Sequence, residues 1–138
     1  MSFDRRIVFD TGVLLSAALR TASVPALALE KALLNFAVCA SDATLKELAE
    51  VLMRSKFDGC CPTAVRRRFV DGFSDRVVRI GVSVTVTDCI DPKDNKFLEL
   101  ALDAEAELIV VSDTQLTSLH PWRGIPVMPP SAFLVGVR

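Results

Sequence analysis

The chain has 138 residues, 51% hydrophobic and 24% charged, a composition typical of a globular protein and not of a disordered one. Sixteen basic and seventeen acidic residues give a net charge of −1. This balance excludes nucleic-acid binding through bulk positive charge but leaves room for a local basic patch. The length predicts one domain, residues 1–138. No apolar run approaches the roughly 18 residues of a membrane span, so we expect no membrane association.

Short apolar runs alternate with longer amphipathic segments, which predicts an α/β fold with a parallel sheet. Segments 7–9, 37–40 and 108–111 are continuously apolar, as strands covered on both faces are. Val82, Val84 and Val86 alternate with polar residues, and segment 125–128 contains a proline, so we place both segments at sheet edges. The doubly wound order 3-2-1-4-5 puts the third and fifth strands at the edges. We therefore predict about five strands in this order, with helices on both faces.

Helical spacing of apolar residues predicts four helices and a short C-terminal one. The predicted helices run from Ser23 to about Leu34, through 45–52, from an N-cap at Thr63 to Val77, and from Asp91-Pro92 to about 102, with a short turn after 129–130. The arginines at 66–68, together with Arg76 and Arg79, are expected on the polar side of the helix that starts at Thr63.

Four acidic residues are predicted near the carboxyl ends of the central strands. Asp10 follows the first strand and Asp113 the fourth, while Asp94 lies in the first turn of the preceding helix. Glu47 lies in the helix after the second strand, off its apolar stripe. In the order 3-2-1-4-5 the winding reverses between strands one and four, and ligands of open parallel sheets bind at such a switch point. Four converging carboxylates would repel one another, which predicts a hard divalent cation.

Each acid also has a purely structural explanation: Glu47 as part of a capping box with Thr44, Asp91 and Asp94 at a helix start, Asp113 as a cap of 114–119, and Asp10 in an Asx-turn. Their common position at one end of the sheet favours the functional interpretation.

Other chemistries receive less support from the sequence. Cys39, Cys60, Cys61 and Cys89 have no metal-ligand spacing, so we expect reduced thiols and a cytoplasmic protein. A Ser-His-Asp or Cys-His site would require His120, which lies in a predicted loop. The triplet Asp10-Thr11-Gly12 matches that of aspartic proteases. Those are all-β folds in which two such triplets face each other, so this chain would have to dimerise around Asp10, and the helical stripes contradict that fold.

Four segments of this chain resemble the PIN-domain family, and more narrowly the VapC-like toxins of bacterial toxin–antitoxin systems. These segments are 7–17 (IVFDTGVLLSA), 41–57 (SDATLKELAEVLMRSKF), 91–104 (DPKDNKFLELALDA) and 108–113 (LIVVSD). The third is the most specific because it is long. The resemblance spans nearly the whole chain and implies a 3-2-1-4-5 sheet and a metal-dependent endoribonuclease. It also implies an RNA substrate, an antitoxin protein as partner, and a homodimer.

The resemblance also implies which residues form the site. Asp10, Glu47, Asp94 and Asp113 match the catalytic acids that bind Mg²⁺ or Mn²⁺, with Asp10 and Asp94 as the principal ligands. The predicted supporting residues are Thr11, Gly12, Ser112 and Asp91.

Gly12 departs from the family pattern, which usually has Asn at this position. Loss of such a supporting amide typically costs ~10–100-fold in affinity or activity. The departure keeps an alternative open, a catalytically weak or degenerate PIN-fold module that binds RNA or a partner. If the missing amide is the limitation, Gly12→Asn is expected to raise activity.

A polyanionic substrate requires cations beside the acids. Lys93 and Lys96 bracket Asp94, and Lys46 and Arg54 lie on or just beyond the helix that carries Glu47, so these four are the predicted RNA-binding residues. With one tryptophan and no tyrosine, base stacking is poorly supplied.

Overall fold

A computed structural model describes residues 5–138. Its strands are β1 (Arg6–Phe9), β2 (Ala37–Ala40), β3 (Val78–Arg79), β4 (Leu108–Val110) and β5 (Val127–Met128). They form one parallel sheet in the order β3-β2-β1-β4-β5. The predicted order is confirmed, with β1 central and the proline-flanked β5 at an edge.

Seven helices connect the strands within the described residues. They are α1 (Thr11–Leu19), α2 (Val24–Asn35), α3 (Asp42–Leu52), α4 (Thr63–Arg76), α5 (Asn95–Ala104), α6 (Thr114–Thr117) and α7 (Pro130–Gly136), with short 3₁₀ turns at Ser55–Phe57 and Pro92–Asp94. Serine hydroxyls begin two of them, because Ser23 accepts from the N–H of Ala26 and Ser41 from that of Thr44. The sequence does not predict α1, whose residues are apolar at nearly every position and show no helical stripe.

Two cores cover the two faces of the sheet, as alternation along β1 requires. Ile7 and Phe9 pack with α1, α2, α3, α4 and α7 on one face. Val8, on the other face, packs with α5 and with the segment around Trp122. The helices therefore lie on both faces, as predicted for a doubly wound sheet.

The predicted strand at Val82–Val86 is wrong. The third strand is the two-residue β3 immediately after α4, and residues 82–86 form no strand. Their backbone N–H groups are taken by side chains of α5, because Asp103 accepts from Ser83 and Val84 and Glu99 accepts from Val86. The alternation nevertheless has a physical basis, since Val86 is buried against α5.

Arg66 does not lie on the polar side of α4, where the sequence places it. Its side chain is fully buried, and its guanidinium donates to the carbonyl groups of Leu52, Arg54 and Cys61. It also pairs with Asp58 at 2.5 Å. Arg66 thereby connects α4 to the segment that follows α3.

The parallel α/β sheet rules out the all-β architecture of the aspartic proteases, and the Asp10-Thr11-Gly12 triplet begins α1. Among residues 5–138, no single helix is long and apolar enough to cross a bilayer. Only α1 and α2 taken together reach such a length, and they meet at a bend of 108°.

Candidate active site

Asp10 lies where β1 ends and α1 begins, and it is 4% exposed. One carboxylate oxygen accepts from the N–H of Val13 at 2.9 Å, and the other accepts from the N–H of Ser112, after β4, at 3.0 Å. Burial raises the pKa of Asp10 to about 6, against the opposing effect of backbone hydrogen bonds from Val13, Ser112 and Asp113. Asp10 is thus the N-cap of a helix, not part of an isolated Asx-turn.

Asp94 and Asp113 approach the same point from the other face of the sheet. Burial, followed by the charge of Asp113 and a hydrogen bond to it, raises the pKa of Asp94 to about 6, and the charges of Asp91 and Asp10 add to this shift. Asp113 also caps α6 by accepting from the N–H of Gln115 at 2.8 Å, as predicted. The carboxylates of Asp94 and Asp113 repel each other in the absence of a cation.

Glu47 takes no part in a capping box, so this structural explanation of its position is wrong. The box at the start of α3 is formed by Ser41 and Thr44. The Glu47 carboxylate instead accepts from the hydroxyl of Thr11 at 2.5 Å and from the ammonium of Lys96 at 2.9 Å. Sequence reasoning finds neither contact, because no local signal shows that α1 and α5 both contact α3.

One open cavity of about 220 Å³ joins the predicted acids at the carboxyl ends of β1 and β4. It is lined by Asp10, Thr11, Gly12, Glu47, Val51, Asp94, Phe97, Ser112 and Asp113. Seven of the eight residues predicted as catalytic or supporting line this acidic pocket. The eighth, Asp91, is exposed and caps the turn at Pro92 by accepting from the N–H of Lys93, so it acts on the pocket only through its charge.

The donor chemistry of the acidic pocket fits a divalent cation. Carboxylate oxygens are the ligands that Mg²⁺ and Mn²⁺ prefer. The pKa values of Asp10 and Asp94 are raised first by burial and then by neighbouring aspartates, and a bound cation would favour the ionised form of both acids. As the side chains stand, however, residues 5–138 contain no group of three histidine, cysteine or acidic residues placed to hold a metal ion. Binding would therefore require the carboxylates to converge.

Gly12 lies so close to Ser112 that the rise in activity expected of Gly12→Asn does not follow from the missing amide alone. A Cβ atom at position 12 would lie 2.0 Å from the Ser112 hydroxyl oxygen and 3.2 Å from its Cβ. The same hydroxyl lies 3.5 Å from Asp10. A side chain at position 12 would displace it, and the single substitution alters two supporting groups at once.

A basic groove of about 360 Å³ adjoins the acidic pocket and shares Glu47 and Val51 with it. It contains all four predicted RNA-binding residues, namely Lys46, Arg54, Lys93 and Lys96, and the two carboxylates Glu47 and Glu50, so positive charge is in excess. A larger cavity, about 550 Å³, lies by Arg5 and Phe36 at the amino ends of β1 and β2, and no acidic side chain of the described residues lines it. The acidic pocket and the basic groove together form the better candidate site.

The remaining nucleophile candidates lie elsewhere or are unsuited to catalysis. His120 accepts from the N–H of Val127 at 2.9 Å, a structural role in the loop before β5. All four cysteines are free thiols. Burial, aided by nearby aspartates, raises the pKa of Cys89 to about 11, so its thiol is a poor nucleophile.

Comparisons with known proteins agree with this architecture. A family model described as PIN domain matches residues 6–115. No curated protein matches the chain. A chain in the crystal structure of VapBC2 from Rickettsia felis, bound to a DNA fragment from their promoter, is similar in fold, with a TM-score of 0.61 and 14% identity. The similarity covers 88% of this chain and 96% of that one.

Position 12 gives a prediction about packing. We expect Gly12→Asn alone to lower the free energy of unfolding by ~1–3 kcal/mol, because the Ser112 hydroxyl must move. Ser112→Ala removes the closest atom, so the cost of Gly12→Asn is expected to be smaller in that background. A double-mutant cycle by urea denaturation measures the difference. Equal costs in the two backgrounds would show that the crowding is absent.

The raised pKa of Asp94 predicts how stability varies with pH in EDTA. An acid whose pKa is higher in the folded than in the unfolded state stabilises the fold while the pH is below its pKa in the unfolded state. For Asp94 this contribution disappears as the pH rises through about 6, its pKa in the folded protein. Asp94→Asn cannot ionise, so at pH 7.5 we expect it to be more stable than wild type by about 1 kcal/mol, after allowance for solvent screening, and the gain should shrink at pH 4.

The matched control is Asp75→Asn, which removes an exposed carboxylate from α4. Thermal melts across pH measure all three proteins. A gain for Asp94→Asn that does not change between pH 4 and 7.5 would contradict the prediction. Asp10→Asn is a poorer choice, because Asn offers a single oxygen where Asp10 accepts from both Val13 and Ser112.

Proposed function

Because the chain belongs to the PIN domain family, we propose that it is a divalent-metal-dependent endoribonuclease and the toxin of a toxin–antitoxin pair. The observation that carries this proposal is the junction of two surfaces: an acidic pocket with four carboxylates at the switch point of the sheet, and a basic groove beside it. The two surfaces match the two needs of phosphodiester hydrolysis, a bound cation and a track for the polyanion. We propose that residues 1–138 form one such domain.

The proposed mechanism assigns a task to each set of residues. Asp10, Asp94 and Asp113 would hold Mg²⁺ or Mn²⁺, and the buried, doubly hydrogen-bonded Asp10 is the most rigid of the three. A bound divalent cation supplies an activated water and neutralises charge on the phosphodiester oxygens. Glu47, fixed by Thr11, would orient the attacking water.

The basic groove would bind the RNA backbone. Lys46, Arg54 and Lys93 are exposed, and within the described residues no carboxylate pairs with them. Their charges are therefore available to phosphates on one side of the scissile bond. The exposed arginines of α4 lie outside this groove, so RNA contact by them is not proposed.

A protein partner fits a separate apolar groove of about 210 Å³ between α2 and α4. Leu29, Leu33, Phe69, Gly72 and Phe73 line it, and Arg68 and Arg76 add positive charge. We propose that a segment of an antitoxin with apolar and acidic side chains binds there. The VapBC2 complex, as a solved assembly of similar fold, supports such a partner.

Two measurements test the proposed assemblies. Gly72→Glu adds a negative charge where a new Cβ would meet nothing within 4 Å, and it is expected to abolish co-purification of a candidate antitoxin. Retention of the partner would contradict the assignment of the groove.

Light scattering of the purified chain tests the proposed homodimer, which a monomer mass would contradict. We also propose a cytoplasmic location, consistent with four free thiols.

A second candidate function follows from the absence, in residues 5–138, of a preformed three-residue metal group, together with Gly12. In this alternative the chain is a catalytically weak or degenerate module that binds RNA or a partner without cutting. The two candidates share the fold and differ only in metal affinity and turnover.

Cleavage of a pool of labelled single-stranded and structured RNAs distinguishes them. We expect cutting with Mn²⁺ and Mg²⁺ and none with EDTA. Asp10→Asn and Asp94→Asn are each expected to reduce the rate by at least about 100-fold, because each removes a proposed ligand. Asp75→Asn serves as the control and should cut like wild type. Full activity of either pocket variant would refute the assignment, and RNA binding without cutting would favour the degenerate module.

A further inference from the structure

Both oxygens of the Glu47 carboxylate are occupied by hydrogen bonds within the protein. Thr11 donates to one oxygen, and Lys96 donates to the other at 2.9 Å. The Lys96 and Glu47 side chains are only 24% and 20% exposed, so solvent screens this ion pair less than a surface pair. Both oxygens of Asp10 also accept hydrogen bonds, but from backbone N–H groups. Among residues 5–138, no ion pair involves Asp10, Asp94 or Asp113, so Glu47 is the pocket acid with a cationic partner.

Lys96 lies at the boundary between the two surfaces of the candidate site. It is in the first turn of α5, two residues after Asp94, and it lines the basic groove but not the acidic pocket. Glu47 lines both. Lys96 therefore holds one oxygen of Glu47 on the side of the groove, while Thr11, which lines the acidic pocket, holds the other.

The ion pair between Lys96 and Glu47 lowers the affinity of the pocket for a cation. A fixed positive charge beside the pocket reduces its negative potential, and a carboxylate already paired with an ammonium group is a weaker ligand than one without a cationic partner. Replacing Lys96 by an apolar residue would release Glu47 and remove the opposing charge. Both effects act in the same direction.

We propose that Lys96 is a positioning residue that keeps Glu47 out of the cation's coordination sphere, so that Asp10, Asp94 and Asp113 bind the cation and Glu47 faces the substrate. This inference rests on the proposed function. It makes an unusual prediction: removal of a lysine tightens cation binding while it removes a charge from the RNA groove.

Calorimetric titration of the full chain with MnCl₂ tests it. We expect Lys96→Met to bind Mn²⁺ about tenfold more tightly than wild type, and Lys96→Arg, which keeps the cation, to remain near wild type. Lys93→Met is the matched control, since it removes a groove charge that does not contact Glu47, and its gain should stay below about threefold. Glu47→Gln leaves the Lys96 charge unpaired, so it is expected to weaken binding. The double variant Lys96→Met/Glu47→Gln has the wild-type net charge and should bind within about threefold of wild type.

The outcomes separate the inference from the proposed function. Unchanged or weaker binding by Lys96→Met, or binding by the double variant that is more than about tenfold weaker than wild type, would overturn the role of Lys96 while wild type still binds Mn²⁺. If neither wild type nor Lys96→Met binds Mn²⁺ at millimolar concentration, the proposed function fails and the inference falls with it. Thermal melts in EDTA check folding, and Lys96→Gln replaces Lys96→Met if the latter unfolds.

Discussion

The buried carboxylate of Asp10 joins three segments that meet at the carboxyl end of β1. The carboxylate caps α1 by accepting from the N–H of Val13, and it accepts from the N–H of Ser112 after β4. The backbone N–H of Asp10 donates to the carbonyl of Val110. Because β1 and β4 are the neighbours between which the winding reverses, this one side chain fixes the crevice of the sheet. Asp94 and Asp113 lie close to this buried acid. Burial, then the charge of Asp113, raises the pKa of Asp94, and the charges of Asp91 and Asp10 add to the shift.

The charge arrangement around this point divides the site into two parts. Three aspartates have no cationic partner among the described residues, whereas Glu47 is bound to Lys96 at the edge of the basic groove. A cation in the pocket would relieve the repulsion, and phosphates in the groove would meet unpaired lysines. Arg66 contributes at a distance, because its hydrogen bonds to the carbonyls of Leu52 and Arg54 hold the segment from which the Arg54 side chain reaches the groove.

Much of the fold and of the site could be predicted from the sequence, for identifiable reasons. Proline at position 126 and the alternation at 82–86 predict edges for the fifth and third strands, and the resemblance to the PIN-domain family implies the same order. The order is confirmed, although the third strand lies at Val78–Arg79. The pocket acids follow, because parallel strands place their carboxyl ends together. The third strand could not be located, since side chains of α5 satisfy the backbone of residues 83–86 in place of a neighbouring strand. Likewise, α1 has no stripe to detect, and the partners of Glu47 come from helices distant in sequence.

The most direct test of the central claim, a cation held by three aspartates with Glu47 set apart, is an anomalous difference map from crystals grown with Mn²⁺. The account predicts Mn²⁺ bound by Asp10, Asp94 and Asp113, with Glu47 still bonded to Thr11 and Lys96. Mn²⁺ bound directly by Glu47 after loss of the Lys96 contact would contradict it. So would an acidic pocket that stays free of Mn²⁺ at millimolar metal.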